Sequence, residues 1–126
     1  ALEIIATQPI NQQADAMADR LKKGINYVLG RLEIPGHAHG IASMIHVVLA
    51  DCACDRELCT MSHAKIVEAN GSPAVTAMKR GLQNRGVDIM SRETFLVSGT
   101  HTEKEIDHTL DAFQEAMAAV RADGLI

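Results

Sequence analysis

The first regular pattern of apolar residues lies between Pro9 and Pro35 and predicts a long amphipathic helix. Apolar side chains recur every three or four residues, at Met17, Leu21, Ile25, Val28 and Leu32. This spacing places them on one face of a helix about 20 residues long. Asn11 can cap its start, and the sequence Ile34-Pro35-Gly36 predicts its end.

A shorter apolar run, Leu2 to Ile5, precedes Pro9 without a capping residue in front of it. Helices normally begin at a capping residue, so the run is typical of the last turns of a helix that starts further upstream. Residues 1–10 are therefore predicted to be the end of a longer helix and a connector, and residues 11–126 to form one small domain. Removal of Met from a true N-terminus is the alternative.

The most continuous apolar stretch, Gly40 to Ala50, predicts a strand covered on both faces. Residues 51–61 are polar and rich in cysteine, which predicts a loop. Two short strands are predicted at Val87 to Met90 and at Thr94 to Ser98, joined by Ser91-Arg92-Glu93.

Three further helices are predicted in the second half of the chain. Ser62 can cap a short helix that ends near Asn70, and Pro73 suits the first turn of the next helix. The sequence Thr102-Glu103-Lys104-Glu105 is a capping box for the last helix, whose apolar positions are Ile106, Leu110, Phe113, Met117 and Val120. The order of elements predicts an α+β domain in which helices pack on a small sheet.

Composition and charge exclude several classes of partner. The chain has 126 residues, of which 47% are hydrophobic, and 12 basic against 16 acidic side chains give a net charge of −4. With no basic block and three aromatic residues, the sequence favours neither nucleic acid nor an anionic membrane as a partner. No apolar run reaches the roughly 18 residues of a membrane span, and no signal peptide is visible, so we expect a cytoplasmic protein.

Three cysteines within eight positions form the most conspicuous local cluster. Cys52, Cys54 and Cys59 are followed by His63, and thiolates with an imidazole are zinc ligands. The spacing does not match the common zinc-finger patterns, and Asp55, Arg56 and Glu57 are interleaved as in a solvated loop. The odd number of cysteines indicates free thiols in a reducing compartment, and metal binding is the weaker alternative.

The remaining candidates for chemistry have structural interpretations. His37 and His39 stand between Gly36 and Gly40 and are predicted to be turn residues, while His46 lies within the apolar strand and is predicted to be a core residue. The five lysines fall on predicted helices among polar neighbours, whereas a Schiff-base lysine needs a desolvated site. Residue pattern alone therefore indicates an α+β domain without a complete active site.

Several segments resemble class-III, pyridoxal-phosphate-dependent aminotransferases. The most specific is Phe95 to Asp107, with the sequence FLVSGTHTEKEID, which is similar to the closing segment of the glutamate-1-semialdehyde aminomutase branch. The segments Thr76 to Asp88 and Gly40 to His46 are similar to other parts of the family's C-terminal region. Ala1 to Ile5 is similar to the end of the helix that joins the family's two domains, so the resemblance implies that residues 1–10 are the end of this interdomain helix and a connector. Only the cysteine-rich loop lies outside the resemblance.

The resemblance implies that the chain is the C-terminal domain of a fold-type-I enzyme, with a small, mainly antiparallel sheet. Such a domain packs on a large domain and helps to close the substrate cleft. The large domain holds pyridoxal phosphate and supplies the reactive lysine, so we expect no catalytic or cofactor-binding residue here and no activity of this chain alone. The family further implies a homodimer and a small amino or keto substrate.

One departure from the family pattern bears on the substrate. Many ω-amino-acid transaminases of the family carry an Arg that grips the substrate carboxylate, and the corresponding position here is Thr94. Glu93 matches a Glu of the aminomutase branch, although Phe95 replaces a Gly there. We therefore expect Glu93, Thr94 and Phe95 at the edge of the cleft, with Arg92 as a hairpin-tip charge. A non-catalytic interaction domain and a metal-binding module remain as alternatives.

Overall fold

The computed structural model describes residues 1–52, 54, 58–91 and 93–126. The predictions made for Asp55, Arg56, Glu57 and Arg92 concern residues outside this described part. The described elements are, in chain order, α1 (Leu2–Thr7), α2 (Ile10–Arg31), β1 (His37–His39), β2 (Met44–Val48), α3 (His63–Asn70), α4 (Pro73–Gln83), β3 (Thr94–Leu96) and α5 (Glu103–Ala122).

The three strands form one antiparallel sheet in the order β1-β2-β3. His39 pairs with His46, which in turn pairs with Thr94, and Met44 pairs with Leu96. The sheet and its helices confirm the predicted α+β class with a small antiparallel sheet.

Two details of the strand prediction are wrong. His37 and His39 are not turn residues but the two ends of β1, which pairs with β2. Gly36 allows the strands this close approach, because a Cβ there would lie 2.5 Å from the carbonyl oxygen of Val48. The segment Val87 to Met90 is not a strand, and it makes one isolated bridge from Met90 to Thr94.

The core lies between the sheet and the long helices. Ile25 of α2, Met78 of α4 and Phe113 of α5 are fully buried, as the apolar stripes predict. Phe95 of β3 meets Phe113 edge-on, with ring centroids 6.3 Å apart.

The starts of α4 and α5 follow the sequence signals, whereas the predicted cap of α2 is wrong, because Asn11 lies inside α2 and the helix begins after Pro9. The Ser72 side chain accepts a hydrogen bond from the backbone N–H of Val75, with Pro73 in the first turn of α4. The predicted capping box is present at α5, where the backbone N–H of Thr102 donates to Glu105 Oε2 at 2.8 Å. In the described part of the chain, no helix combines the length and apolarity needed to cross a membrane.

Candidate functional site

The strands separate a core face from a second face, which we call the outer face. Successive strand residues point to opposite sides, so Ala38, Ile45 and Phe95 enter the core. The outer face consists of the residues between them, namely His37, His39, Met44, His46, Val48, Thr94 and Leu96. The register therefore brings a row of three polar side chains, His39, His46 and Thr94, next to an apolar pair, Met44 and Leu96.

Ring contacts and one hydrogen bond order this polar row. The rings of His39 and His46 stack with centroids 5.8 Å apart, and the rings of His37 and His39 are 5.1 Å apart. Thr94 Oγ1 lies 3.0 Å from Nδ1 of His46. Desolvation, followed by the neighbouring His37 and His46, lowers the pKa of His39 to about 4. Burial also lowers the pKa of His37.

The outer face carries an open apolar surface beside these histidines. A cavity of about 430 Å³ is lined by His39, Gly40, Ile41, Met44, His46 and Leu58. Ile41 is 77% exposed, and Met44 and Leu96 are 43% and 48% exposed. A contiguous exposed apolar surface is typical of a site that receives another protein surface or an apolar ligand.

The three residues predicted at the cleft edge do not share one exposed surface. Glu93 is half-buried, and its Oε1 accepts a hydrogen bond from Asn70 Nδ2 at 3.0 Å. Thr94 is 2% exposed on the outer face, and Phe95 lies in the core. Glu93 is therefore the one of the three that the structure leaves partly open to solvent.

The cysteines lie close to a histidine that the sequence did not suggest as their partner. One ligand atom from each of His37, Cys52, Cys54 and Cys59 lies within 4.8 Å of the other three. We call these four residues the Cys–His cluster. Within the described residues, His63 is not part of it, although it was the predicted alternative ligand.

The expectation of three free thiols is wrong for two of them. The structure pairs Cys52 with Cys54 in a disulfide and leaves Cys59 free. His37 was missed because the first cysteine, Cys52, follows it only after fourteen intervening residues. The signal that connects them is strand pairing: His37 pairs with Val48, so the chain leaving β2 passes His37 just before Cys52.

The lysines bear on whether this part of the chain can hold pyridoxal phosphate. All five are in the described part, and none is buried. Lys22 and Lys23 lie 3.8 and 2.5 Å from the carboxylate of Asp19, and Lys79 donates to the carbonyl of Ser91. None of them meets the need for a desolvated amine, so we assign no step through that cofactor to these residues.

A second cavity, of about 410 Å³, lies between β3 and the start of α5. Several polar groups that line it already have structural partners. His108 Nε2 is 3.0 Å from the carbonyl oxygen of Arg85, and Asp88 accepts from Gln83. His101 Nδ1 accepts from the backbone N–H of Ser98. These groups stabilise the fold, and their geometry does not suggest joint action on a substrate.

No family model and no curated protein matches the sequence. Solved structures do match its fold. The FumI protein of Sphingopyxis sp. MTA144, solved in a PLP internal aldimine form, is 22% identical with a TM-score of 0.75, over 97% of this chain and 25% of that one. An omega-transaminase from Sphaerobacter thermophilus is 21% identical with a TM-score of 0.71, over 87% and 24%.

A glutamate-1-semialdehyde-aminomutase from Pseudomonas aeruginosa PAO1 is 15% identical with a TM-score of 0.75, over 89% of this chain and 24% of that one. The chain has the fold of one segment of class-III PLP-dependent transaminases. This confirms, at the level of fold, the resemblance inferred from the sequence motifs. The chain spans about a quarter of the length of these transaminase and aminomutase structures.

Proposed function

We propose that this chain is the C-terminal, smaller domain of a PLP-dependent aminotransferase or aminomutase, and that it packs on a large domain that holds the cofactor. The observation that carries the proposal is the fold match over 97% of this chain to a quarter of a PLP enzyme. In the intact protein, pyridoxal phosphate would supply the amino-group chemistry. This chain contributes shape and exclusion of water.

The outer face supports the proposal because it offers a surface for the large domain. Met44 and Leu96 are exposed on this face and Ile41 is exposed beside it, and burial of apolar area stabilises an interface by about 25 cal/mol per Å². Helix α1, which is described throughout, buries none of its side chains and exposes Leu2 and Ile4. Its exposed apolar residues fit the expected end of an interdomain helix in residues 1–10.

Thr94 favours an aminomutase-like activity over that of the Arg-bearing transaminases. The resemblance implies that the Arg that binds the substrate carboxylate in those enzymes occupies this position. The Thr94 side chain is buried and bonded to His46, so in this protein another group must hold a substrate carboxylate. We place the cleft edge at Glu93, which Asn70 orients. The same proposal includes a homodimer, a small amino or keto substrate and a cytoplasmic location.

A complementation experiment tests the proposal. The upstream part of the same reading frame is expressed separately, mixed with this chain and pyridoxal phosphate, and assayed for amino transfer with glutamate-1-semialdehyde and with ω-amino acids. We expect activity from the mixture and neither activity nor lysine-dependent visible absorbance from this chain alone. Such absorbance from this chain alone would contradict the proposal, as would an upstream frame without a lysine at a strand end.

A variant of the outer face tests whether the large domain binds there. Met44→Ser combined with Leu96→Ser should weaken complementation at least about tenfold, because the apolar pair leaves the interface. Tyr27→Ser is the matched control, since Tyr27 is an exposed ring on α2, which packs on the opposite side of the sheet. Equal effects of both changes would argue against docking through the outer face. Self-association of this chain that the added upstream part does not displace would favour the interaction-domain alternative.

A further inference from the structure

The Cys–His cluster joins two parts of the chain that the fold brings together. His37 comes from the edge strand β1, and the three cysteines come from the loop that follows β2. A tetrahedral zinc ion with bonds of about 2.0–2.3 Å needs its ligand atoms roughly 3.5–3.8 Å apart. The sulfur atoms of Cys54 and Cys59 are 4.0 Å apart, and all four ligand atoms lie within 4.8 Å. The sulfur atoms of Cys52 and Cys54 are bonded to each other here, so both can bind zinc only after reduction has separated them.

His37 provides an independent indication of a missing ligand. Its side chain is 5% exposed, and its Nε2 has no hydrogen-bond partner among the described residues. Buried polar atoms normally have partners, because an unpaired one loses its hydrogen bonds to water and gains none in return. A metal ion among the cysteine sulfurs would give this nitrogen its partner.

Two polar groups of Thr60 lie against the sulfur atom of Cys54. The backbone N–H of Thr60 points at this atom at 3.3 Å, and Thr60 Oγ1 is 3.5 Å from it. Outer hydrogen-bond partners of this kind orient metal ligands.

We propose that the Cys–His cluster is a structural zinc site in the reduced protein. Three sulfurs and one imidazole are the donor set of Cys₃His zinc sites, whereas calcium and magnesium prefer oxygen ligands. On binding, the three thiols release their protons and become thiolate ligands. The ion would fasten the loop after β2 to the edge strand β1.

The disulfide and the zinc site exclude each other, because both use the sulfur atoms of Cys52 and Cys54. The test therefore starts from reduced protein. A phosphine reductant supplies two electrons and water supplies one oxygen and two protons, so the products are the phosphine oxide and two thiols. After removal of reductant and metal under anaerobic conditions, Zn²⁺ is added, and the bound metal is counted by native mass spectrometry. We expect one ion per chain.

Ligand variants identify the site. Cys59→Ser and His37→Gln should each weaken zinc binding by at least about 100-fold, because a first ligand is lost. His63→Gln is the matched control, and it should change the affinity by less than about twofold, since His63 lies outside the cluster. Loss of binding in His63→Gln with retention in His37→Gln would overturn this ligand set.

Two further measurements keep the test decisive if a variant folds poorly. Co²⁺ added to the wild-type chain should give the sulfur-to-metal absorption of a tetrahedral thiolate site. Zn²⁺ should also protect all three cysteines from alkylation. A reduced wild-type chain that retains no Zn²⁺, or whose cysteines alkylate equally fast with and without Zn²⁺, would refute the site. These readouts involve no PLP chemistry, so they are independent of the proposed function.

Discussion

The hydroxyl of Thr94 is 3.0 Å from Nδ1 of His46 across the β2–β3 pair. This contact links Thr94 to the two histidines of the polar row on the outer face. Thr94 is buried, so water cannot easily replace the bond. It shows how a polar side chain is accommodated at a buried position of β3.

Thr94→Val should lower the free energy of unfolding by about 1–3 kcal/mol, because His46 loses its partner in a buried site. Urea unfolding followed by circular dichroism measures the change. Thr100→Val is the control, since Thr100 is exposed and water can replace its bond with Ser98. A Thr94 variant as stable as the Thr100 variant would show that the contact contributes nothing.

Asn26 is expected to be a key polar residue between α2 and β1. Its amide donates to the carbonyl of Ala38 and accepts from the N–H of Ala38, both at 2.9 Å. Asn26→Ala should destabilise the fold by about 2–4 kcal/mol, because two backbone groups of a buried residue lose their partners. Asn84→Ala, at an exposed helix end, should change stability by less than about 0.5 kcal/mol. Thermal unfolding of both variants provides the comparison, and equal midpoints would contradict the role of Asn26.

Replacing Gly81 and Gly30 by alanine should have opposite effects on the free energy of unfolding. A Cβ on Gly81 would lie 2.7 Å from the Cβ of Ala116, because α4 and α5 pack closely there. Gly81→Ala should therefore cost about 1–3 kcal/mol despite the helix propensity of Ala. Gly30 has open space around it, so Gly30→Ala should stabilise α2 by about 0.5–1 kcal/mol. If both changes stabilised the protein, α4 and α5 could move apart at Gly81 without any loss of stability.

The capping box of α5 should make stability depend on pH. Hydrogen bonds from the side chain and backbone of Thr102 lower the pKa of Glu105 below its ordinary value of 4.5. Since the folded state favours the carboxylate, this contribution is present above pH 4.5 and is lost as the pH falls through the folded-state pKa.

Glu105→Gln should flatten that part of the pH dependence of the unfolding midpoint. Glu103→Gln is the matched control, because it removes a carboxylate from the same helical turn outside the capping box. A profile for Glu105→Gln that still falls as steeply as the wild type near pH 4 would disprove the assignment.

The helices were predictable because their signals are local. The stripe from Met17 to Leu32, Pro73 in the first turn of α4, and the capping box at Thr102 each specify an element from neighbouring residues. The α+β class follows from their order. Sequence motifs also supported the family resemblance, which the comparison with solved structures confirmed at the level of fold.

The sheet edges were less predictable because pairing is not local. A His-x-His segment between two glycines has no apolar pattern, and it becomes a strand because β2 offers it a partner. Ile89 is buried, as its apolar character indicates. Its segment, Val87 to Met90, nevertheless makes only one isolated bridge among the described residues and does not form a strand. For the same reason, the sequence did not predict that His37 lies beside the cysteines. It did indicate that the cysteines themselves could act together.

The last helix completes the core, and this affects synthesis of the protein. Phe113, Met117 and Val120 of α5 fill the space between α2 and α4, and they follow Leu21 in the chain by about ninety residues. Until α5 has been made and can pack, the apolar sides of both earlier helices therefore stay uncovered. Until α5 emerges, those surfaces are available to chaperones and to neighbouring nascent chains.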